Sequence, residues 1–246
     1  MDDTVEDLRR AFGSVRAIDL SHVIEPDMPT YPTHPKYFMM EWKALGDPAH
    51  MNQLILSEHT GTHVDSPAHF MDDPTEPGYL SIHEWEPLHL LGRGVHVQLG
   101  PFEPSSYMVT ADQVQQWETD HVAIEPDDFV VFDFQWAWRW APMPQGAAYL
   151  EGWPGLHRST VDYLVERRVR AVGTDCVGLD SGDGGHGELP AHFTLLPKGI
   201  AIFENLANLE QVPVEFLFLA LPLPIRDGTG SPVRPVALVG AGQSRA

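Results

Sequence analysis

The sequence predicts a mixed α/β fold with a large β core, organised as one domain over residues 1–246. Short segments rich in β-branched and aromatic residues recur along the chain, and turn residues separate most of them. The 22 prolines favour strands and ordered turns over long helices. No segment repeats at a fixed period and no long polar linker divides the chain, so we expect one compact domain.

Three helices are predicted from apolar residues at helical spacing. The first covers residues 4–12, and the second lies within residues 104–120. The third is expected to have Ser159 as its N-cap, and it runs directly into a strand at residues 169–172. Further strands or apolar runs are expected at residues 16–23, 53–57, 94–99, 129–134, 216–221 and 236–239.

Charge and composition exclude several classes of protein. Lys and Arg total 15 against 35 Asp and Glu, and a formal net charge of −20 would repel a nucleic-acid backbone. No segment approaches the roughly 18 apolar residues that a membrane-spanning helix needs, so we expect a soluble, cytoplasmic protein.

Cys176 is the single cysteine, so it cannot form an internal disulfide. Its place after an apolar strand favours an inert buried thiol over a nucleophile.

Residues 57–69 hold the densest group of metal-ligating side chains in the sequence. His59, His63, Asp65 and His69 fall within eleven residues. Imidazole and carboxylate groups together are typical ligands of Zn²⁺ and Mn²⁺. Four such groups around one glycine favour a metal site over the alternative, a polar surface loop of unrelated histidines.

The chain must turn between the first two of these histidines if both are to reach one ion. The β-branched threonines, Gly61 and Pro67 disfavour a helix here. An extended chain fails too, because four residues at about 3.3 Å each would separate His59 from His63 by roughly 13 Å. Gly61 can supply the turn, since glycine tolerates backbone angles closed to other residues. His63 and Asp65 can then point to the same side of a short strand.

Further ligands are expected from residues 191–206. His192 precedes an apolar stretch, and Glu204 lies among apolar residues in what resembles a strand entering a turn. A carboxylate in such surroundings is costly unless it is paired or bound to a metal. The alternative for Glu204, a strand-end carboxylate that faces water, stays open.

These motifs resemble the metal-dependent cyclase-like hydrolases, a family that includes bacterial kynurenine formamidase and isatin hydrolase. The segment His59-Thr-Gly-Thr-His-Val-Asp-Ser-Pro-Ala-His69 is similar to the family signature H-x-G-T-H-x-D-x-P-x-H. The resemblance covers nearly the whole chain. Other similar blocks follow in the family's order at residues 19–22, 28–32, 153–156, 171–175, 192–209 and 228–234.

The resemblance implies a swivelling β/β/α fold, assembled into homodimers or homotetramers. It implies one metal ion bound by His59, His63 and Asp65. Asp65 and Glu204 would bridge to a second ion, which His192 completes. The ions would be Zn²⁺ or Mn²⁺, since mixed imidazole and carboxylate ligands suit both.

The resemblance also implies that His69 is the catalytic acid/base. The alternatives for His69 are a further metal ligand or a residue that orients one. A divalent ion can lower the pKa of a bound water toward about 7 and polarise a carbonyl oxygen, while His69 would carry a proton to the leaving group.

The substrate is expected to be a small planar or cyclic molecule in an aromatic pocket. The expected pocket walls are Tyr31, Phe70, Trp136 and Trp138. Kynurenine formamidases carry a tryptophan where this chain has Tyr31. This difference weakens the assignment of the kynurenine formamidase substrate to this chain. The glycine-rich loop at residues 176–187 is longer than the family pattern and would reshape the pocket.

Together, these observations predict a metal-dependent hydrolase that cleaves the C–N bond of an arylformamide or a cyclic amide. One alternative is a lactone hydrolase or a cyclase/dehydratase that uses the same centre. A second is a non-catalytic protein whose bound ions only stabilise the fold.

Overall fold

A computed structural model of the protein describes residues 4–43, 46, 48–182 and 188–241. Its α-helices are α1 Thr4–Phe12, α2 Ala111–Asp120, α3 Arg158–Arg167 and α4 Pro190–Leu195. Its strands are β1 Val15–Asp19, β2 Phe38–Trp42, β3 Met51–Ile55, β4 His63–Asp65, β5 Leu91–Gln98, β6 Met108–Val109, β7 Phe129–Asp133, β8 Gly155–Leu156, β9 Ala171–Thr174, β10 Ala201–Glu204, β11 Glu215–Leu219, β12 Gly230–Pro232 and β13 Val236–Gly240. No helix among these residues is long and apolar enough to cross a membrane.

Nine of the strands form one mixed sheet, in the order β1-β13-β11-β5-β7-β9-β10-β4-β12. The four strands β5, β7, β9 and β10 run parallel, and the strands on either side of them pair antiparallel. The prediction of a mixed α/β fold with a large β core is therefore confirmed. β1 and β13, from opposite ends of the chain, pair with each other. This pairing supports one domain, and the extent of that domain over residues 1–246 stays a prediction.

The central strands are buried on both faces because their side chains alternate between two apolar clusters. Val130 and Phe132 of β7 pack in a cluster with residues of α2 and α3. Phe129 and Val131 pack in a second cluster with residues of β1, β11 and β13. Burial on both faces explains why β7 is a continuous apolar run rather than an alternating one.

The three predicted helices are confirmed, and α1 has the predicted limits. The prediction of Ser159 as the N-cap of α3 is wrong. His157 is the N-cap, because its imidazole accepts a hydrogen bond from the Ser159 N–H at 3.1 Å. The strand predicted at residues 16–23 ends earlier, at Asp19, whose carboxylate accepts hydrogen bonds from the backbone and hydroxyl of Ser21 and so turns the chain.

Strands β2 and β3 form a separate two-stranded hairpin with an apolar, exposed surface. We call these two strands the apolar hairpin. Its exposed large apolar side chains are Phe38, Met39, Met40, Trp42, Met51, Leu54 and Ile55. The apolar residues of α1 are exposed as well, and this helix buries none of its side chains. Exposed apolar patches of this kind usually mark interaction surfaces.

Candidate active site

Gly61 makes the turn between His59 and His63. Its φ of +62° lies in the left-handed region that favours glycine. The Gly61 carbonyl accepts one hydrogen bond from Nδ1 of His63 and another from Nδ2 of Asn205, both at 2.8 Å. Since Asn205 directly follows β10, these bonds tie the turn to the end of that strand.

The register of β4 against β10 brings Glu204 opposite His63. The two strands are antiparallel, with His63 paired to Glu204 and Asp65 paired to Ile202. Directly opposite residues project from the same face of a sheet, as do residues two apart on one strand. Three ionisable side chains from two distant parts of the chain, those of His63, Asp65 and Glu204, therefore converge on one face.

His192 enters this cluster from the short helix α4, and Asp180 holds it there. The Asp180 carboxylate accepts hydrogen bonds from the backbone N–H of Ala191 at 2.8 Å and of His192 at 3.2 Å. The same carboxylate lies 2.6 Å from Nδ1 of the His192 ring. With Nδ1 held, Nε2 faces the cluster, 3.4 Å from Asp65 Oδ2 and 3.3 Å from Glu204 Oε1.

The two oxygens of Asp65 face two different sets of ligating atoms. Oδ1 lies 2.7 Å from Nδ1 of His59 and 3.4 Å from Nε2 of His63. Oδ2 faces His192, as described above. Glu204 is divided in the same way, because its Oε2 lies 3.5 Å from Nε2 of His63 and its Oε1 faces His192. The cluster therefore has two lobes that meet at the two carboxylates. The first lobe contains His59 and His63, and the second contains His192.

The donor set of the cluster fits divalent cations. Carboxylate and imidazole groups are the ligands that Zn²⁺ and Mn²⁺ take in proteins. The ligand atoms of His63, Asp65 and Glu204 lie within 4.8 Å of one another, and all three side chains are buried. Oδ2 of Asp65 is buried and accepts no hydrogen bond from the described residues. Such an oxygen is costly unless a cation or a donor satisfies it.

The electrostatics of the cluster favour added positive charge. Burial by itself lowers the pKa of His192, but the hydrogen bond with Asp180 and the nearby carboxylates of Asp65 and Glu204 outweigh burial and hold this pKa well above its ordinary value. Burial raises the pKa of Asp65, yet nearby His59 and the other imidazoles hold it well below its usual range. Protons and metal ions compete for such ligands, so the same field favours a divalent cation.

His69 lies beside the first lobe, at the end of the 3₁₀ turn Pro67–His69 that follows β4. Its ring stacks on that of His59, with centroids 4.0 Å apart, and its centroid lies 6.3 Å from that of His192. Ligand atoms of His69, His59 and Asp65 lie within 4.8 Å of one another. Burial lowers the pKa of His69 to about 4, so its imidazole is neutral at pH 7 and can accept a proton.

A cavity of about 380 Å³ opens onto the cluster. Tyr31 and Phe70, two of the expected pocket walls, line it. His34 lines it too, with its ring centroid 5.6 Å from that of His59. Nδ1 of His34 is buried and makes no hydrogen bond with the described residues, so a polar group of a bound molecule could pair with it.

The structure corrects the expected role of two tryptophans. Trp136 is fully buried, and its indole N–H donates to the Tyr149 carbonyl at 2.9 Å, so Trp136 belongs to the core. Trp138 is 72% exposed and packs under the Arg139 guanidinium. Neither is among the described residues that line the cavity. Their closeness in sequence does not bring them to one wall, because neighbouring residues of a turn point in different directions.

Four residues that hold the cluster in place were not identified from the sequence: Glu58, Asp180, Asn205 and Thr229. Weak local signals exist for three of them. Glu58 precedes the first histidine, Asp180 lies in the glycine-rich loop, and Thr229 lies between two glycines. Residues 183–187 of that loop lie outside the described residues, so its expected effect on the pocket stays a prediction.

Cys176 is fully buried in the core. Burial, reinforced by the charge of Asp175, raises the pKa of its thiol well above the ordinary value. A thiol in this state is a poor nucleophile, which agrees with the expected inert role.

Comparisons with known proteins identify the family of the chain. The family model described as "Putative cyclase" matches residues 18–181. The chain belongs to this family. It is 28% identical over 247 residues to the isatin hydrolase of Roseibium aggregatum, covering 92% of this chain and 93% of that relative. It is 27% identical over 221 residues to the kynurenine formamidase of Bacillus mycoides, covering 89% of this chain and 95% of that relative.

A solved structure shows the same fold. Isatin hydrolase A from Labrenzia aggregata, bound to benzyl benzoate, matches with a TM-score of 0.86 and 32% identity, over 96% of this chain and 99% of that one. The family and the fold class expected from the sequence are thus confirmed.

Proposed function

We propose that the protein is a metal-dependent hydrolase that cleaves the C–N bond of a small cyclic amide or arylformamide. The convergence of imidazoles on two buried carboxylates, Asp65 and Glu204, beneath a cavity carries this proposal. Relatives named isatin hydrolase and kynurenine formamidase support amide hydrolysis of a small molecule.

We infer two divalent ions per chain, Zn²⁺ or Mn²⁺. His59, His63 and Asp65 would hold one ion, and Asp65 and Glu204 would bridge to a second that His192 completes. The division of both carboxylates between the two lobes supports this assignment. Ions in such a site supply an activated water and polarise a carbonyl oxygen.

The chain's own residues supply the proton transfer and the substrate contacts. The neutral imidazole of His69, which stacks on His59, would accept a proton from the attacking water and pass it to the leaving nitrogen. Tyr31 and Phe70 would pack against a planar substrate from the cavity walls. Nδ1 of His34 would donate to or accept from a polar group of that substrate, according to its tautomer.

The first test is the number of metal ions per chain in the purified protein and in Glu204→Gln. We expect close to two ions in the wild type and about one in the variant, because a neutral amide is a weaker ligand than a bridging carboxylate. Elemental mass spectrometry measures both. Glu118→Gln is the matched control, since Glu118 is a largely buried carboxylate on α2, away from the cavity. A wild type that binds no transition metal after reconstitution would contradict the proposal.

The substrate class is tested with a panel of N-formyl anilines, isatins and lactones. We expect cleavage of at least one amide by the metal-loaded protein. Cleavage of lactones alone would favour the alternative hydrolase, and a metal-loaded protein inert to every carbonyl substrate would favour a structural role for the ions.

We also propose that the protein assembles with copies of itself through the apolar hairpin. The side chains that it exposes are large and apolar, and Met39 lies directly opposite Leu54 in the hairpin register. Burying such a surface against a second copy would remove it from water.

A further inference from the structure

A chain of hydrogen bonds leads from Glu58 to the first lobe of the cluster. Oε2 of Glu58 accepts two bonds from Thr229, one from its backbone N–H at 3.0 Å and one from its hydroxyl at 2.7 Å. Oγ1 of Thr229 lies 3.0 Å from Nε2 of His59. On the other side of the same ring, Nδ1 of His59 lies 2.7 Å from Oδ1 of Asp65.

The direction of each hydrogen bond follows from which atoms carry protons. An ionised carboxylate only accepts, so the Thr229 hydroxyl proton points to Glu58. The hydroxyl oxygen then presents a lone pair to His59, and Nε2 of His59 must donate. In a neutral His59 ring, Nδ1 is then left with its lone pair directed at Asp65. Two acceptor atoms this close repel each other unless a cation lies beside both of them or the ring carries a second proton.

Residues 228–230 pack closely against this chain of hydrogen bonds. A Cβ atom at Gly228 would lie 2.8 Å from Oε1 of Glu58, and one at Gly230 would lie 2.7 Å from Cε1 of His59. Gly230 also pairs with Asp65 in the register of β12 against β4. The two glycines therefore let Thr229 approach both Glu58 and His59, which gives a physical reason for the Gly228-Thr-Gly sequence.

We propose that Glu58 and Thr229 are positioning residues that fix the tautomer of His59, so that Nδ1 is the nitrogen offered to a metal ion. Thr229 orients the ring. The charge of Glu58 acts through the Thr229 hydroxyl and makes Nδ1 of His59 a more basic ligand for the metal. This inference rests on the proposed metal centre. Loss of such an outer hydrogen bond typically weakens metal binding by about 10-fold to 100-fold.

The test uses three variants of the full-length protein. Thr229→Val keeps the shape of the side chain and removes the hydroxyl, whereas Thr229→Ser keeps the hydroxyl. Glu58→Gln keeps an acceptor oxygen and removes the charge. Glu118→Gln is the matched control, because Glu118 also accepts one hydrogen bond from a backbone N–H, that of Ile124, and one from a hydroxyl, that of Tyr163.

Three quantities are measured for each protein: Zn²⁺ affinity by chelator competition, the visible absorption spectrum of the Co²⁺-loaded protein, and the unfolding midpoint of the metal-free protein. We expect Thr229→Val and Glu58→Gln to bind Zn²⁺ about 10-fold to 100-fold more weakly and to have altered Co²⁺ spectra. Thr229→Ser should restore both properties, and the control should match the wild type.

The outcomes separate this inference from the proposed function. If Thr229→Val and Glu58→Gln bind Zn²⁺ as the wild type does, the positioning role is overturned and the metal centre stands. A lower metal-free midpoint with an unchanged Co²⁺ spectrum would also overturn it, since that is the behaviour of a purely structural contact. If the wild type binds neither Zn²⁺ nor Co²⁺, the proposed function itself fails.

Discussion

At the scale of single residues, a hydrogen bond to one ring nitrogen of a histidine leaves the other ring nitrogen to face the cluster. His63 is held through Nδ1 by the Gly61 carbonyl, and His192 through Nδ1 by Asp180, so both present Nε2. His69 differs, because the contact that places it is a ring stack on His59. This arrangement suits the proton-transfer role proposed for His69.

Replacement of His69 by alanine is expected to abolish turnover without releasing metal. General acid/base catalysis contributes about 10²-fold to 10⁴-fold, so kcat should fall by at least about 100-fold. Elemental mass spectrometry should find the wild-type metal content. The control is His121→Ala, which removes another stacked imidazole, centroid 4.6 Å from Trp117, away from the cavity. Loss of an ion from His69→Ala would instead identify His69 as a ligand.

At the scale of elements, the site depends on the alignment of β4 with β10. A slip of one residue would send the side chains of His63 and Asp65 to the opposite face. The Gly61 turn prevents such a slip, because the Gly61 carbonyl accepts a hydrogen bond from Asn205 at the end of β10. The Thr62 hydroxyl adds a second bond, to the backbone carbonyl of Asn205 at 2.5 Å.

Replacement of Gly61 by alanine is expected to strain this turn. The nearest atom to the new Cβ would be Cγ1 of Ile24, at 3.5 Å, which is an ordinary contact distance. The cost therefore comes from the positive φ alone, about 1–2 kcal/mol in the free energy of unfolding. Urea unfolding measures that cost, and a Zn²⁺ titration should show weaker binding.

Gly199→Ala is the matched control for this variant. Gly199 has φ +74°, and no atom of the described residues lies within 4 Å of the position that its new Cβ would take. The stability cost should therefore be similar while Zn²⁺ binding is retained. Wild-type Zn²⁺ affinity in Gly61→Ala would show that the turn does not position the ligands.

At the scale of the whole molecule, charge and apolar surface act in opposite directions. A net charge of −20 makes copies of the chain repel one another, and salt screens that repulsion. The apolar hairpin and the uncovered apolar side of α1 favour association. Self-assembly should therefore depend on these surfaces and strengthen as ionic strength rises.

The substitution Met39→Glu is expected to reduce the assembly to monomers, because it places a charge within the apolar hairpin, opposite Leu54. Light scattering after size-exclusion chromatography measures the mass. Leu88→Glu is the control, since Leu88 is 69% exposed on a 3₁₀ turn outside the hairpin. A wild type that is already monomeric, or a Met39→Glu variant with unchanged mass, would contradict the proposed interface.

The sequence alone determined the fold class, the family and the local part of the site. His59, His63 and Asp65 lie within seven residues, so one glycine turn and one short strand suffice to bring them together. Local chain geometry decides such an arrangement, and local geometry can be derived from residue types.

Only the tertiary structure decided which distant groups join them. Reasoning from the residues left Glu204 between a ligand and a surface carboxylate until the strand register placed it opposite His63. The same holds for Trp136, whose burial separates it from the cavity, and for Thr229, which reaches His59 only when β12 pairs with β4. The physical reason is that pairing between strands far apart in sequence fixes these contacts, and no local pattern encodes that pairing.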